Sequence, residues 1–107
     1  PPTDVIEIGT GNTTFQFEAV DNNEETTIWF VSTNEETVGA ALLEVGLIEG
    51  DVSAFGLFVS KVNGLVADWD VNQSWWAFYI DSEMSMYGVD DVEINVESVY
   101  AFIYTIG

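Results

Sequence analysis

Thr37-Val38-Gly39-Ala40-Ala41-Leu42-Leu43-Glu44-Val45-Gly46 is the stretch where the hydrophobic period of this chain changes. Val38, Ala41, Leu42 and Val45 fall at i, i+3, i+4 and i+7, with Leu43 widening the stripe, so the spacing predicts an amphipathic helix over roughly 38–45. Thr37 can accept an orphan N–H at its start, and Thr33-Asn34-Glu35-Glu36 offers a capping box one turn earlier. Gly46 is placed to end the helix in a left-handed conformation. The flanking segments read with period two instead.

Upstream, Thr14 to Val20 alternates Phe15, Phe17 and Ala19 against Thr14, Gln16 and Glu18. Asp21-Asn22-Asn23-Glu24-Glu25 is a turn cluster, and Thr26 to Ser32 is rich in β-branched and aromatic residues, so the two runs make a hairpin. Downstream, Phe55–Val62 and Leu65–Trp69 flank Asn63-Gly64, whose tolerance of positive φ signals a type I′ hairpin. Trp75 to Ile80 is another strand, with Trp76, Phe78 and Ile80 on one face and Trp75, Ala77 and Tyr79 on the other. Asp81-Ser82 turns it into Met84–Tyr87, and Val99 to Thr105 closes the chain as a strand. A hairpin, a helix and then several strands predict an α+β fold with one helix packed across one mixed sheet. The β-grasp (ubiquitin-like) arrangement has this order, with the first and last strands side by side in the centre. A small sandwich with one crossover helix is the alternative. With 107 residues, a single domain over 1–107 is expected, its core spanning about 13–105.

Nineteen acidic side chains face a single basic one, Lys61, for a formal charge of −18. The apolar share of 48% is that of a globular protein and not of a disordered acidic tail. Such a charge repels phosphate backbones and anionic lipid, which argues against nucleic-acid and membrane-surface partners. No apolar window approaches the ~20 residues of a membrane-spanning helix, so direct membrane insertion is not expected. Pro1-Pro2-Thr3 reads as a mature or truncated start without a signal peptide. The chain has no His, Cys or Arg. That removes His-dependent triads, thiol nucleophiles, zinc fingers and Arg clamps on phosphate, so the expectation is a protein that is not an enzyme. Neighbouring carboxylates such as Asp68/Asp70 and Asp90/Asp91 follow from abundance alone. Lys61, beside so much acid, is expected to stay protonated and inert.

Two stretches suggest binding. Asp68-Trp69-Asp70-Val71-Asn72-Gln73-Ser74 sets oxygen side chains at alternate positions, as the first half of an EF-hand loop does, making Asp68, Asp70 and Asn72 a weak calcium candidate. Gln73 and Tyr79 stand where that loop needs Gly and Glu, and a plain polar turn explains the same residues. The second stretch crowds Trp69, Trp75, Trp76, Tyr79, Met84, Met86 and Tyr87 together. One set must face the helix. The other, with Trp75 and Tyr79, either forms a surface for an apolar ligand or partner, or closes a second small core under the loops around Asp51 and Asp90.

Thr37-Val38-Gly39-Ala40-Ala41-Leu42-Leu43, Phe55-Gly56-Leu57-Phe58-Val59, Val62-Asn63-Gly64-Leu65, Trp75-Trp76-Ala77-Phe78-Tyr79-Ile80 and Tyr87-Gly88-Val89 follow in order. In this the chain, over about residues 13–105, resembles the transcobalamin C-terminal-like domain family. That family comprises the β-domain of vitamin B12 carriers and many domains of bacterial surface and secreted proteins. The resemblance implies a β-grasp fold and an extracellular or cell-surface, exported setting. In the carriers cobalamin lies between a large helical domain and this small one, which contributes a Trp strand and the hairpin after it. Carried over by motif, these are Trp76 and the stretch Met84, Ser85, Met86 and Tyr87 before Gly88, with Trp75 and Tyr79 as further candidates. Ala77 and Phe78 replace the polar residues that follow the Trp in the carriers, and Asp81-Ser82 replaces their Asn-Gly or Gly-Gly turn. The expected function is a non-catalytic extracytoplasmic module that binds cobalamin, another corrinoid or a small apolar-faced molecule. The alternative is a structural, adhesion or protein-interaction module of a bacterial cell-surface protein, meeting an adjacent domain or protein with no small-molecule ligand.

Overall fold

The computed structural model describes residues 5–54 and 56–107; the start read at Pro1-Pro2-Thr3 and the first residue of the Phe55–Val62 strand lie outside them. Strands β1 (Val5–Gly9), β2 (Thr13–Val20) and β3 (Thr26–Thr33) lead into helix α1 (Val38–Glu44). Strands β4 (Ile48–Ser53), β5 (Gly56–Val62) and β6 (Leu65–Val66) follow, then the short helix α2 (Trp69–Asn72). Strand β7 (Ser74–Ile80), strand β8 (Glu83–Met84), a 3-10 turn (Val89–Asp91) and strand β9 (Val99–Ile106) complete the order. Among the described residues these build a six-stranded sheet, β1-β3-β2-β9-β7-β8, and a three-stranded sheet, β4-β5-β6. The architecture is mixed α and β, with strands predominating and two helices on two sheets. This is compatible with the expected α+β class of one helix on a mixed sheet with additional hairpins; the β5–β6 hairpin joins β4 in a sheet of its own, and a second, short helix is added.

The predicted hairpin forms with Phe17 opposite Trp29 and Phe15 opposite Val31. Its first strand, β2, lies beside the last strand, β9, in parallel. The first strand of the described residues, β1, instead takes the sheet edge, parallel to β3. Period two then sorts the side chains. Phe15, Phe17, Trp29, Val31, Tyr100 and Phe102 form one buried face, continued by Trp76 and Phe78 on β7. Their rings meet directly: Phe17 stacks on Trp29 with centroids 5.5 Å apart, and Phe78 lies 5.0 Å from Phe102. Helix α1 covers this face with Val38, Ala41 and Leu42, and the smaller sheet covers it with Val59 and Val62.

Thr37 caps α1, its hydroxyl accepting the Ala40 N–H at 3.2 Å, and Gly46 follows the helix at φ 77°. The capping box does not form, because the buried Thr33 hydroxyl instead accepts from the Glu35 N–H and donates to the Glu44 carboxylate, each at 3.0 Å. Leu43 does not widen the stripe; it is exposed. Asn63 and Gly64 take the expected positive φ, 48° and 82°.

Two strand expectations shorten. The predicted Leu65–Trp69 strand ends at Val66, because Asp68 caps α2 by accepting the Asp70 N–H at 2.9 Å. The predicted Met84–Tyr87 strand pairs only through Glu83–Met84, because the Ser85 hydroxyl donates to the Tyr87 carbonyl and accepts its N–H, closing a turn.

Candidate functional site

The site grows from the pairing of β7 with β9. That pairing puts Trp76 and Phe78 on the buried face, pointing toward β5 of the smaller sheet. Between them a cleft of about 240 Å³ remains, lined by Leu57, Phe58 and Val59 on one side, Trp76 and Phe78 on the other, and Gly88-Val89 at one end. Trp75 and Phe102 complete the lining. The Trp76 indole N–H is already satisfied by the Leu65 carbonyl at 3.2 Å, so the ring presents carbon to the cleft. From β7 the chain reaches the cleft wall through 85–88, the Ser85 N–H bonding the Phe78 carbonyl at 2.9 Å. Large side chains here stand in solvent: Phe58 is 60% exposed, Met84 54%, Tyr87 70% and Met86 92%. Flexible thioethers and aromatic rings left in water on one segment are the surface chemistry of an adaptable apolar contact.

Behind the cleft, Asp90 ties the 3-10 turn to β5, its Oδ2 accepting the Leu57 N–H at 3.1 Å. Its other oxygen, Oδ1, is buried without a hydrogen-bond partner among the described residues. Glycine makes room for it: a Cβ on Gly56 or Gly88 would stand 3.1 Å or 3.0 Å from that oxygen. Nothing in the local sequence marks Phe58, Val89 and Asp90 as site residues. Only the run Tyr87-Gly88-Val89 pointed to this end of the chain.

The predicted residues divide into two groups. Trp76 lies in the cleft wall, and Met84, Ser85, Met86 and Tyr87 lead from the sheet edge to Gly88. Trp75 and Tyr79 belong to the opposite face of the six-stranded sheet, with Ile103 beside Ala77 and Ala101 beside Tyr79. Successive residues of a strand point to opposite faces, so Trp75 and Tyr79 face away from Trp76, although Trp75 also borders the cleft and Tyr79 does not. The elements around Asp51 and Asp90 cover the Trp76–Phe78 face, and Trp75 and Tyr79 remain partly exposed on the other.

The calcium candidates are engaged locally. The Asp68 carboxylate caps α2, while the Asn72 amide donates to the Tyr104 hydroxyl at 3.1 Å and its carbonyl accepts from the Ser74 hydroxyl. Among the described residues no three acidic side chains converge as a metal site. Lys61 pairs with Glu49 at 3.2 Å across β4 and β5, an exposed contact of small consequence for stability. Among the described residues no helix is long and apolar enough to cross a membrane.

Comparison with known proteins places this geometry. No curated protein sequence matches the chain. Among solved structures, a protein of Ruminococcus gnavus ATCC 29149, described as a proposed metal-binding protein, is similar with a TM-score of 0.84 at 19% identity, over 90% of this chain and 99% of the other. Haptocorrin in complex with Cbi is similar with a TM-score of 0.70 at 14% identity, over 88% of this chain. The chain spans 25% of the haptocorrin's length. At these identities the likeness is one of fold. The family described as "Domain of unknown function (DUF4430)" matches residues 36–105, from the end of the first hairpin to the last strand, and the chain belongs to that family.

Proposed function

We propose that this chain is a non-catalytic ligand-binding module for a small molecule with a broad apolar face, a corrinoid such as cobalamin being the candidate. The observation that carries this reading is the apolar cleft between β5 and β7, with Met84, Met86 and Tyr87 exposed on the segment that leads to it. At about 240 Å³ the cleft is smaller than the ~300–1,000 Å³ typical of small-molecule sites, so it fits part of a ligand whose remainder meets another surface. The haptocorrin solved with Cbi supports the corrinoid class, and its much greater length agrees with a site completed elsewhere. The transcobalamin-like assignment, a β-grasp core and one domain over 1–107 belong to the same proposal. The parallel β2–β9 pairing beside the first hairpin supports the β-grasp part. An exported or cell-surface setting follows from the family resemblance.

Equilibrium dialysis against cobalamin tests the reading. Weak, saturable retention is expected, reduced several-fold by Tyr87→Ser or Met86→Ser, both exposed enough to leave the fold intact. No retention at near-millimolar cobalamin overturns it for this chain. Metal is the rival ligand that the Ruminococcus protein's description brings, and the local engagement of Asp68 and Asn72 argues against it. A rise in melting temperature with millimolar Ca²⁺ beyond that given by NaCl at the same ionic strength would reverse that judgement.

The partly exposed face bearing Phe30, Trp75 and Tyr79 favours a second reading, a module that docks on a neighbouring protein or domain without a small-molecule ligand. Phe30→Ser and Tyr79→Ser separate the two. They leave cobalamin retention unchanged under the first reading and remove association with a protein partner under the second.

A further inference from the structure

At the other end of β7 from β8, the turn between β2 and β3 stands over the last residues of β9 and over α2. A recess of about 490 Å³ opens there, lined by Asp21 to Glu24 of the turn, by Asn72 and by Tyr104 and Ile106. A second recess of about 180 Å³ adjoins it, sharing Asp21 and Asn22 and reaching Asn63 and the Trp76 ring. The larger volume falls within the ~300–1,000 Å³ of small-molecule sites, whereas the cleft between β5 and β7 does not.

The lining is chemically unlike the rest of this acidic surface. It gathers the side-chain amides of Asn22, Asn23 and Asn72 beside one aromatic and one aliphatic wall. A carboxamide carries an acceptor and two donors in one plane, which matches a pair of neighbouring hydroxyls; Asn72, bonded to Ser74 and Tyr104, keeps one N–H to donate and leaves that pairing to Asn22 and Asn23. The wall is held in place: the Tyr104 ring meets Trp76 edge-on at 5.5 Å, and its hydroxyl accepts from Asn72 at 3.1 Å, leaving its own hydrogen to donate. The turn is held too, because the Asp21 carboxylate accepts the N–H groups of Asn23 and Glu25 at 2.8 and 3.0 Å. Asp21 and Glu24, on a chain of charge −18, turn anions away. A metal cation would find only Asp21 and Glu24 here, since no three acidic side chains converge among the described residues, so the amides and the Tyr104–Ile106 wall suit an uncharged ligand with hydroxyls on its edges and a C–H face.

We infer that the recess formed by the β2–β3 turn, Asn72 and Tyr104 is a second binding site, which takes a neutral saccharide. It stands independently of the corrinoid reading, since it shares only the Trp76 ring with that cleft.

NMR of the ¹⁵N-labelled chain titrated with D-glucose, D-mannose and N-acetyl-D-glucosamine, and separately with CaCl₂, tests it. At least one sugar is expected to shift the side-chain amides of Asn22, Asn23 and Asn72 and the backbone amide of Ile106 saturably, with Kd on the order of 1 mM. Asn72→Ala should weaken that binding about tenfold. Asn23→Ala, in an exposed turn that folds regardless, should weaken it several-fold. Absence of saturable shifts with all three sugars overturns the proposal. So do shifts confined to 84–88, and shifts of the recess with CaCl₂ alone.

Discussion

Gly39 sits inside α1, where glycine is about 1 kcal/mol worse than alanine, so helix propensity alone favours Gly39→Ala. The neighbourhood opposes it. A Cβ there would stand 2.8 Å from the Cα of Asp90 and 2.9 Å from its N, backbone atoms that cannot swing aside. Overpacking of this kind costs ~1–3 kcal/mol and outweighs the propensity gain. Gly39→Ala is expected to lower the chemical-denaturation midpoint. Thr37→Ala should cost about 1 kcal/mol by the same measurement, through loss of the cap on Ala40. Tyr100 makes a comparable point in the core. Its hydroxyl accepts the Asn95 N–H at 2.8 Å and donates to the Glu93 carbonyl at 3.3 Å, fixing the chain before β9. Tyr100→Phe is expected to cost ~1–3 kcal/mol and to speed hydrogen exchange at Asn95. The cap at Thr37 was legible from spacing. The Tyr100 and Gly39 contacts were not, because their partners lie in an aperiodic segment that only the folded chain brings near.

Elements with a strong internal signal form where the sequence places them: the first hairpin, α1, the Asn63-Gly64 turn, β7 and β9. Those it does not announce depend on a neighbour. Strand β4 reads Ile48-Glu49-Gly50-Asp51-Val52-Ser53, poor strand residues, yet it pairs along β5 with a bulge at Glu49/Gly50. A Cβ on Gly50 would approach the Phe58 carbonyl oxygen to 2.0 Å, so glycine permits that pairing. Edge strand β1 is ordered by its pairing with β3 and by Ile8 against the core. The candidate site was half legible for the same reason. Trp76 and the Met84–Tyr87 segment carried a motif, while Phe58 and Asp90 reach the cleft only through the docking of β5. Asp90→Ala tests that docking. It should expose the Leu57 N–H, raising its hydrogen exchange tenfold or more, while amides along the β2–β9 pair keep their protection.

Across the whole molecule, nineteen carboxylates and one lysine leave repulsion as the dominant long-range interaction. Lys61–Glu49 is the one ion pair among the described residues. Salt shortens the screening length from ~30 Å at 0.01 M to ~3 Å at 1 M, so added NaCl should raise the melting temperature steadily. A fall would mean that attractive pairs dominate the surface after all. The same charge shapes both proposed sites, since it keeps anions from them and leaves apolar contact and amide geometry to select the ligand.

Local order is what this sequence determines by itself. Period two against period 3.6, a threonine cap and an Asn-Gly turn name which runs are strands, which is the main helix and which side chains face inward. These depend on residues close together in the chain. The tertiary structure decided that the strands separate into two sheets, that Trp76 and Trp75 serve opposite faces, and that a short helix stands where the spacing offers a calcium loop. It also decided which segments close the cleft and the recess. Those outcomes rest on contacts between residues far apart in sequence, whose free energy arises only when both partners are buried together.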